Sequence, residues 1–275
     1  PANCIATGIS KGGQNSAIYR AFYPEDVDIT VPYVGPFCRK VEDGRHEPFI
    51  ASFAGTPSDR KAVRDFQKEF LSRRSTILPM FEKQCSDEGL KFRIPINEVY
   101  DMCALEFSFA FWQWGMPVSK IPGSSASDST ILNFMNLVSG ADYWAEGSAH
   151  EPFFVMAAHE LGYYGYDTKP FQGLLTIKSA KGYLRRCFLP ESARNIKFDP
   201  ALSRKMDKFL KTNECHILFI YGEFDPWSAV RAGDTHSADN YIFIDPAGSH
   251  RARIGTFPQR TQDEIKAILE GWLRE

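Results

Sequence analysis

The sequence predicts an α/β fold, a parallel sheet whose strands alternate with helices, interrupted by a long helical insertion. Three observations carry this. Short apolar runs flanked by helical segments stand near both ends of the chain, at 4–31 and at 215–244. The run 215–221, CHILFIY, is apolar enough for a strand buried on both faces, the mark of a parallel sheet. From residue 39 to about 204 the pattern is helical, with few convincing strands.

The elements follow in order. Cys4 to Thr7 is a short apolar strand, followed by a tight turn at Gly8-Ile9-Ser10-Lys11-Gly12 and a helix over 14–22 that Pro24 stops. Val27, Ile29 and Val31 alternate with Asp28 and Thr30, giving a second strand closed by Pro32 and the Gly35-Pro36 loop. Residues 59–84 read as one exposed helix or a bent pair, and 96–114, 127–139 and 152–163 as further helices. The strand at 215–221 is followed by a loop, a short helix, a strand over 241–244 and the Gly248 loop. A last amphipathic helix over 258–273 carries Ile265, Ile268, Leu269 and Trp272 on one face. The expected division is a core of 1–38 with 205–275, and a helical lid over 39–204.

Composition narrows the function. With 32 Lys+Arg against 34 Asp+Glu and a pI near 6.4, the chain lacks the basic stripe of a nucleic-acid binder. Arg73-Arg74 and the basic residues of 181–186 read as solvated faces. Charged residues at 24% and hydrophobic residues at 43% are globular values and exclude disorder. No apolar run reaches the roughly 20 residues of a membrane helix. Six cysteines (Cys4, Cys38, Cys85, Cys103, Cys187, Cys215) form no CxxC pair, which disfavours zinc. They fit buried thiols or as many as three disulfides in an oxidising compartment. His159-Glu160 opens like HExxH, but Tyr163 stands where the second His is required, so no metal site is expected.

The chemistry gathers at Gly8-Ile9-Ser10-Lys11-Gly12, a G-x-S-x-G sequence with a strand before it and a helix after it. That context makes a nucleophile elbow, in which a strained turn exposes a serine at the sheet edge and small residues flank it. The backbone N–H of Lys11 is placed to serve as one oxyanion donor. In an α/β-hydrolase the acid follows a late strand and the histidine the next one. Asp225, after the strand ending at Tyr221, and His250, after the strand at 241–244, fill those places. Glu223, Asp234, Asp239 and Asp245 are weaker acids by position, and His159, His216 and His236 weaker bases. The expected mechanism has Ser10 as nucleophile, His250 as general base and Asp225 as its orienting acid, with no metal and no organic cofactor.

The segment Ala6-Thr7-Gly8-Ile9-Ser10-Lys11-Gly12-Gly13-Gln14 resembles the nucleophile segment of serine peptidase family 37, the secreted prolyl tri- and tetrapeptidyl aminopeptidases. Asp225-Pro226-Trp227-Ser228 and Glu160-Leu161-Gly162-Tyr163-Tyr164 are similar to the related prolyl carboxypeptidase and dipeptidyl-peptidase II. The resemblance implies an α/β-hydrolase core with a lid admitting short peptides, secreted or periplasmic. It implies a serine exopeptidase that releases tri- or tetrapeptides from a free N-terminus, with proline at the acyl side of the cleaved bond. Trp227 is the expected aromatic wall for that proline, with Phe37, Tyr143 and Trp144 as lesser ones. Glu160 is the candidate carboxylate for the substrate's ammonium. The same fold and triad suit a carboxylesterase or lipase, and a non-catalytic binding protein is the alternative outside enzymes.

Because the nucleophile of this fold follows the fifth strand, an elbow at Ser10 leaves only the second half of the sheet in the chain. The remaining strands and the second oxyanion donor are expected from a preceding segment or a separate chain, pairing along residues 3–7.

Overall fold

The computed structural model describes residues 4–233 and 237–275. These fall into two compact units, one of residues 1–39, 113–115 and 200–275, the other of 40–112 and 116–199. Against the expected boundaries, the first unit begins again a few residues earlier, at 200, and includes the short piece 113–115.

The first unit is an α/β sandwich. Among the described residues its sheet has four parallel strands in the order β1 (Ile5–Ile9), β2 (Ile29–Tyr33), β3 (His216–Gly222) and β4 (Asn240–Asp245). Ile5 faces Ile29, Ile29 faces His216 and Ile217 faces Asn240, so every C-terminal strand end lies on one edge of the sheet. Ile217 to Tyr221 are fully buried, and their side chains alternate between two cores. Leu218 and Ile220 join Ile29, Val31 and the helix α9 (Gln259–Trp272) through Ile265 and Trp272. Ile217, Phe219 and Tyr221 pack on the other side with Ala17 of α1 (Lys11–Phe22) and with Met206 and Leu210 of α8 (Ala201–Thr212). Each such side chain removes about 1.5–3 kcal/mol of apolar surface energy from water, which makes β3 the anchor of the unit. β1 is different. Its outer edge has no strand partner among the described residues, and Ile5 and Ile9 are 43% and 51% exposed.

The second unit is helical: α2 (His46–Ser52), α3 (Pro57–Ser72), α4 (Arg74–Asp87), α5 (Ile96–Trp114, whose last two residues belong to the first unit), α6 (Asp128–Ser139) and α7 (Glu151–Met156). The stretch 59–84 is a bent pair, because Thr56 and Asp59 cap α3 reciprocally and α3 stops at Arg73. The Arg73 guanidinium, bonded to Glu69, Asp128 and the Ala126 carbonyl, ties that corner to α6. The helix expected at 152–163 is shorter, with α7 passing into a single π-helical turn over Ala157–Leu161. All six cysteines are thiols, so the disulfide alternative falls away and with it the disulfide argument for an oxidising compartment. Among the described residues no helix is long and apolar enough to cross a membrane.

A buried polar knot lies inside this unit. Glu106 of α5 accepts hydrogen bonds from the hydroxyls of Tyr164 at 3.0 Å and Tyr166 at 2.5 Å. Burial pushes its carboxyl up to about 8 against the opposing pull of those two donors. A group raised in the folded state contributes its stability below the unfolded value near 4.5, and that contribution is lost as pH rises through about 8. His46, buried against Phe109 and Tyr164, is pushed down to about 3 by burial and acts on the other side. Its contribution is present above about 6.5 and lost as pH falls. Glu106→Gln is therefore expected to flatten the alkaline side of the stability profile. In urea titrations between pH 5 and 8.5 the parent should lose on the order of a few kcal/mol that the variant keeps. Parallel profiles for the two proteins would remove this role.

Candidate active site

The turn after β1 is built by steric necessity. Ser10 holds φ 57° and ψ −121°, a left-handed conformation that costs a non-glycine residue about 1–3 kcal/mol. The Ser10 N–H donates to the Tyr33 carbonyl at 2.9 Å, and its own carbonyl accepts from Gln14 N–H, which locks strand to helix. A Cβ on Gly8 would lie 2.3 Å from the Gly12 carbonyl, and one on Gly13 2.6 Å from the Tyr33 oxygen. Nothing lies within 4 Å of a Cβ on Gly12. The second small residue that the elbow requires is thus Gly13, one place beyond the G-x-S-x-G reading. Helix α1 begins at Lys11, so its first-turn N–H groups, that of Lys11 included, have no intrahelical acceptor and favour negative charge beside Ser10.

The loops after β3 and β4 are brought together by Gly222. A Cβ there would lie 2.3 Å from the Ser249 carbonyl, so only glycine lets the second loop cross so closely. The crossing is fastened by Phe224 N–H to the Gly248 carbonyl at 2.8 Å and Glu223 N–H to the Asp245 carbonyl at 3.0 Å. The result is a buried pair: His250 Nδ1 stands 2.7 Å from Asp225 Oδ2, with His250 5% exposed and Asp225 fully enclosed. Asp225 Oδ1 accepts the Trp227 backbone N–H at 3.1 Å. An ionised carboxylate only accepts, so Nδ1 carries the proton and Nε2 keeps its lone pair. His250 Nε2 is buried and makes no hydrogen bond among the described residues.

Ser10, Asp225 and His250 follow β1, β3 and β4, so all three stand on the same edge of the parallel sheet. The rivals are engaged elsewhere. Glu223 accepts from Ala247 N–H, Asp245 from the Thr256 hydroxyl, and His216 stacks on Trp272. Asp239 sits in the turn leading into β4, where its N–H donates to the Ser237 hydroxyl. Asp234 and His236 lie outside the described residues.

The aromatic candidates separate. Trp227 is 7% exposed, its ring centroid 6.4 Å from that of His250. Phe37 packs edge-on against Phe219 inside the sheet core, and Trp144 is fully buried and stacked on Phe188. Phe37 is as buried as Trp227, and Trp144 is fully enclosed. Tyr143 bonds through its hydroxyl to those of Tyr163 and Tyr164, inside the buried polar knot. Glu160 lies in the π-helical turn, its side chain 35% exposed and 3.9 Å from His159.

One residue escaped the sequence reading. The backbone carbonyl of Gln113 accepts the His250 N–H at 3.0 Å, and its side-chain oxygen faces the Trp227 indole N–H at 3.3 Å. Gln113 thereby holds the histidine loop and the acid loop at once. It sits at the end of an apolar helix, and no motif marks it.

Comparison with known proteins agrees with the elbow segment. The PS-10 peptidase S37 family model matches residues 1–272. The chain is 28% identical over 280 residues to a prolyl tri/tetrapeptidyl aminopeptidase of Streptomyces mobaraensis, covering 98% of this chain and 58% of that protein. The chain thus spans a little over half the length of that relative. With the match running through both units and almost the whole of its length, the chain belongs to the PS-10 peptidase S37 family.

Proposed function

We propose that this chain carries the machinery of a serine exopeptidase that cleaves short peptides from a free N-terminus, after proline. The observation that carries the reading is the buried Asp225–His250 pair on the same sheet edge as the strained Ser10 elbow. His250 Nε2 takes the Ser10 hydroxyl proton as the oxygen attacks the scissile carbonyl, and Asp225 stabilises the imidazolium that forms. The developing oxyanion is met by the Lys11 N–H at the start of α1. His250 returns the proton to the leaving amine, and water then releases the acyl group by the same steps in reverse. Family membership favours a peptide bond over the ester of a lipase-like reading. The proline preference and the free N-terminus come from the relative's activity, and secretion from the resemblance. Trp227, the ring beside His250, is the proposed contact for proline. The exposed outer edge of β1 is the proposed place for further strands, supplied by another segment or chain, together with a second oxyanion donor.

A panel of chromogenic peptides, free or acetylated at the N-terminus and ending in Pro or Leu, together with a short-chain ester, tests the specificity. Cleavage of free Pro peptides at least about tenfold faster than either alternative is expected. Equal cleavage of acetylated peptides points to an endopeptidase, and preference for the ester to an esterase.

Gln113 adds a second test. Gln113→Lys replaces the acceptor facing the Trp227 indole with a donor and is expected to lower kcat about 10- to 100-fold with little change in KM. Gln113→Glu keeps an acceptor and is expected to stay near the parent. If both variants lose activity equally, the indole contact is not what positions the pair.

A further inference from the structure

The helical unit contains an open cleft between α2, α3, α5 and the segment 165–171. Phe109, Trp112 and Phe171, each nearly buried, line it together with Val63 and Leu105.

Four charges line the same cleft, Glu47 and Asp167 against Arg60 and Arg64. Their partners differ. Arg60 donates to the carbonyls of Ala54 and Gly55, while Arg64, one turn further along α3, has no hydrogen-bond or ion-pair partner among the described residues. Glu47 stands in the first turn of α2, and its Oε2 is buried without a hydrogen-bond partner. The neighbouring acids cannot supply a donor: Asp43 is paired with Arg45, and Glu42 accepts from the Gly182 N–H. Burial foremost, then the charges of Asp43, Asp167 and Glu42, push the Glu47 carboxyl up. A buried carboxylate oxygen left without a donor is costly, and a cationic donor arriving from outside removes that cost. The aromatic lining and the two carboxylates suit an ammonium on an apolar body. The two guanidiniums cancel the net charge and exclude a simple cationic amine in favour of a ligand that also carries a carbonyl or carboxylate.

We infer that this cleft binds the N-terminal residue of a short peptide. The ammonium meets Glu47 and Asp167, an apolar first side chain lies on Phe109, Trp112 and Phe171, and Arg64 takes the first carbonyl oxygen. The choice of a peptide rests on the exopeptidase reading; the cleft itself asks for an ammonium, an apolar side chain and an acceptor oxygen. This places recognition of the free N-terminus at Glu47 and Asp167 instead of Glu160.

Calorimetric titration of the full chain carrying Ser10→Ala tests it without turnover. The probe is the tetrapeptide Leu-Ala-Ala-Pro, free or N-acetylated. Binding of the free peptide is expected, with the acetylated one at least about tenfold weaker. Adding Glu47→Gln, or Asp167→Asn at its exposed position, is expected to weaken the free peptide about tenfold or more and leave the acetylated one unaffected. Arg64→Met is expected to weaken both peptides. Absence of binding, equal binding of the two peptides, or unchanged affinity in both acid variants overturns the assignment; matching thermal unfolding of parent and variants keeps misfolding out of the comparison. Fluorophosphonate labelling of Ser10 in the parent chain separates the two ideas. Labelling with Glu47-independent binding leaves the peptidase reading and removes the cleft, and Glu47-dependent binding without labelling does the reverse.

Discussion

Ser10→Ala is expected to abolish fluorophosphonate labelling and to lower peptide turnover by five to six orders of magnitude, on the order of 10⁵–10⁶. The fold should survive. Alanine keeps the Cβ and the backbone bonds that hold the elbow, Ser10 N–H to Tyr33 and Gln14 N–H to Ser10, and loses only the hydroxyl. A second variant separates chemistry from strain. Ser10→Gly relieves the φ of 57° that a side chain resists, so it should be about as inactive as alanine yet more stable by about 1 kcal/mol. Thermal unfolding of the two variants side by side reads that difference. Labelling that persists at another serine would take the nucleophile away from Ser10.

Much of the first unit was legible because its signals are local. The run 217–221 is apolar on both faces, which only a doubly covered strand tolerates, and β3 lies over His216–Gly222. The acid and histidine positions follow from chain order along a parallel sheet, so Asp225 and His250 could be named from the strands alone, and the structure brings them within 2.7 Å. Crowding was less legible. Gly12 and Gly13 look alike in sequence, and only the Tyr33 carbonyl, brought in by strand pairing, decides which of them must lack a side chain. Helix α8 is different, a legible element that the sequence reading left out. Leu202, Met206, Phe209 and Leu210 stand at i, i+4, i+7 and i+8, so its apolar stripe, received by Ile217 and Phe219, was there to be read. Phe37 and Trp144 mark the limit of what residue type conveys. Large aromatics serve core and pocket equally well, and what sets Trp227 apart is its place beside His250, not its exposure, which Phe37 shares.

Asp225→Asn is expected to lower kcat by about four orders of magnitude while leaving the fold and peptide binding nearly unchanged. The hydrogen bonds around the carboxylate give the reason. Asp225 Oδ1 accepts the Trp227 backbone N–H and Oδ2 accepts from His250 Nδ1, so each oxygen faces a donor. An amide of the same shape has one acceptor and one donor end. The backbone N–H of Trp227 cannot change its role, so the amide oxygen must turn toward it and the NH₂ group toward His250. Nδ1 then has to accept, its proton moves to Nε2, and the nitrogen that should remove the Ser10 proton arrives already protonated. The defect is one of tautomer, not of placement, so KM should hold while kcat falls. Nitrogen NMR of the imidazole should report protonation at Nε2 in place of Nδ1. Asp225→Ala gives a contrasting result, since it leaves the Trp227 N–H and His250 Nδ1 without acceptors in a fully enclosed site and should cost about 1–3 kcal/mol of stability as well. An asparagine variant within about tenfold of parental kcat would show that Asp225 does not set the tautomer of His250.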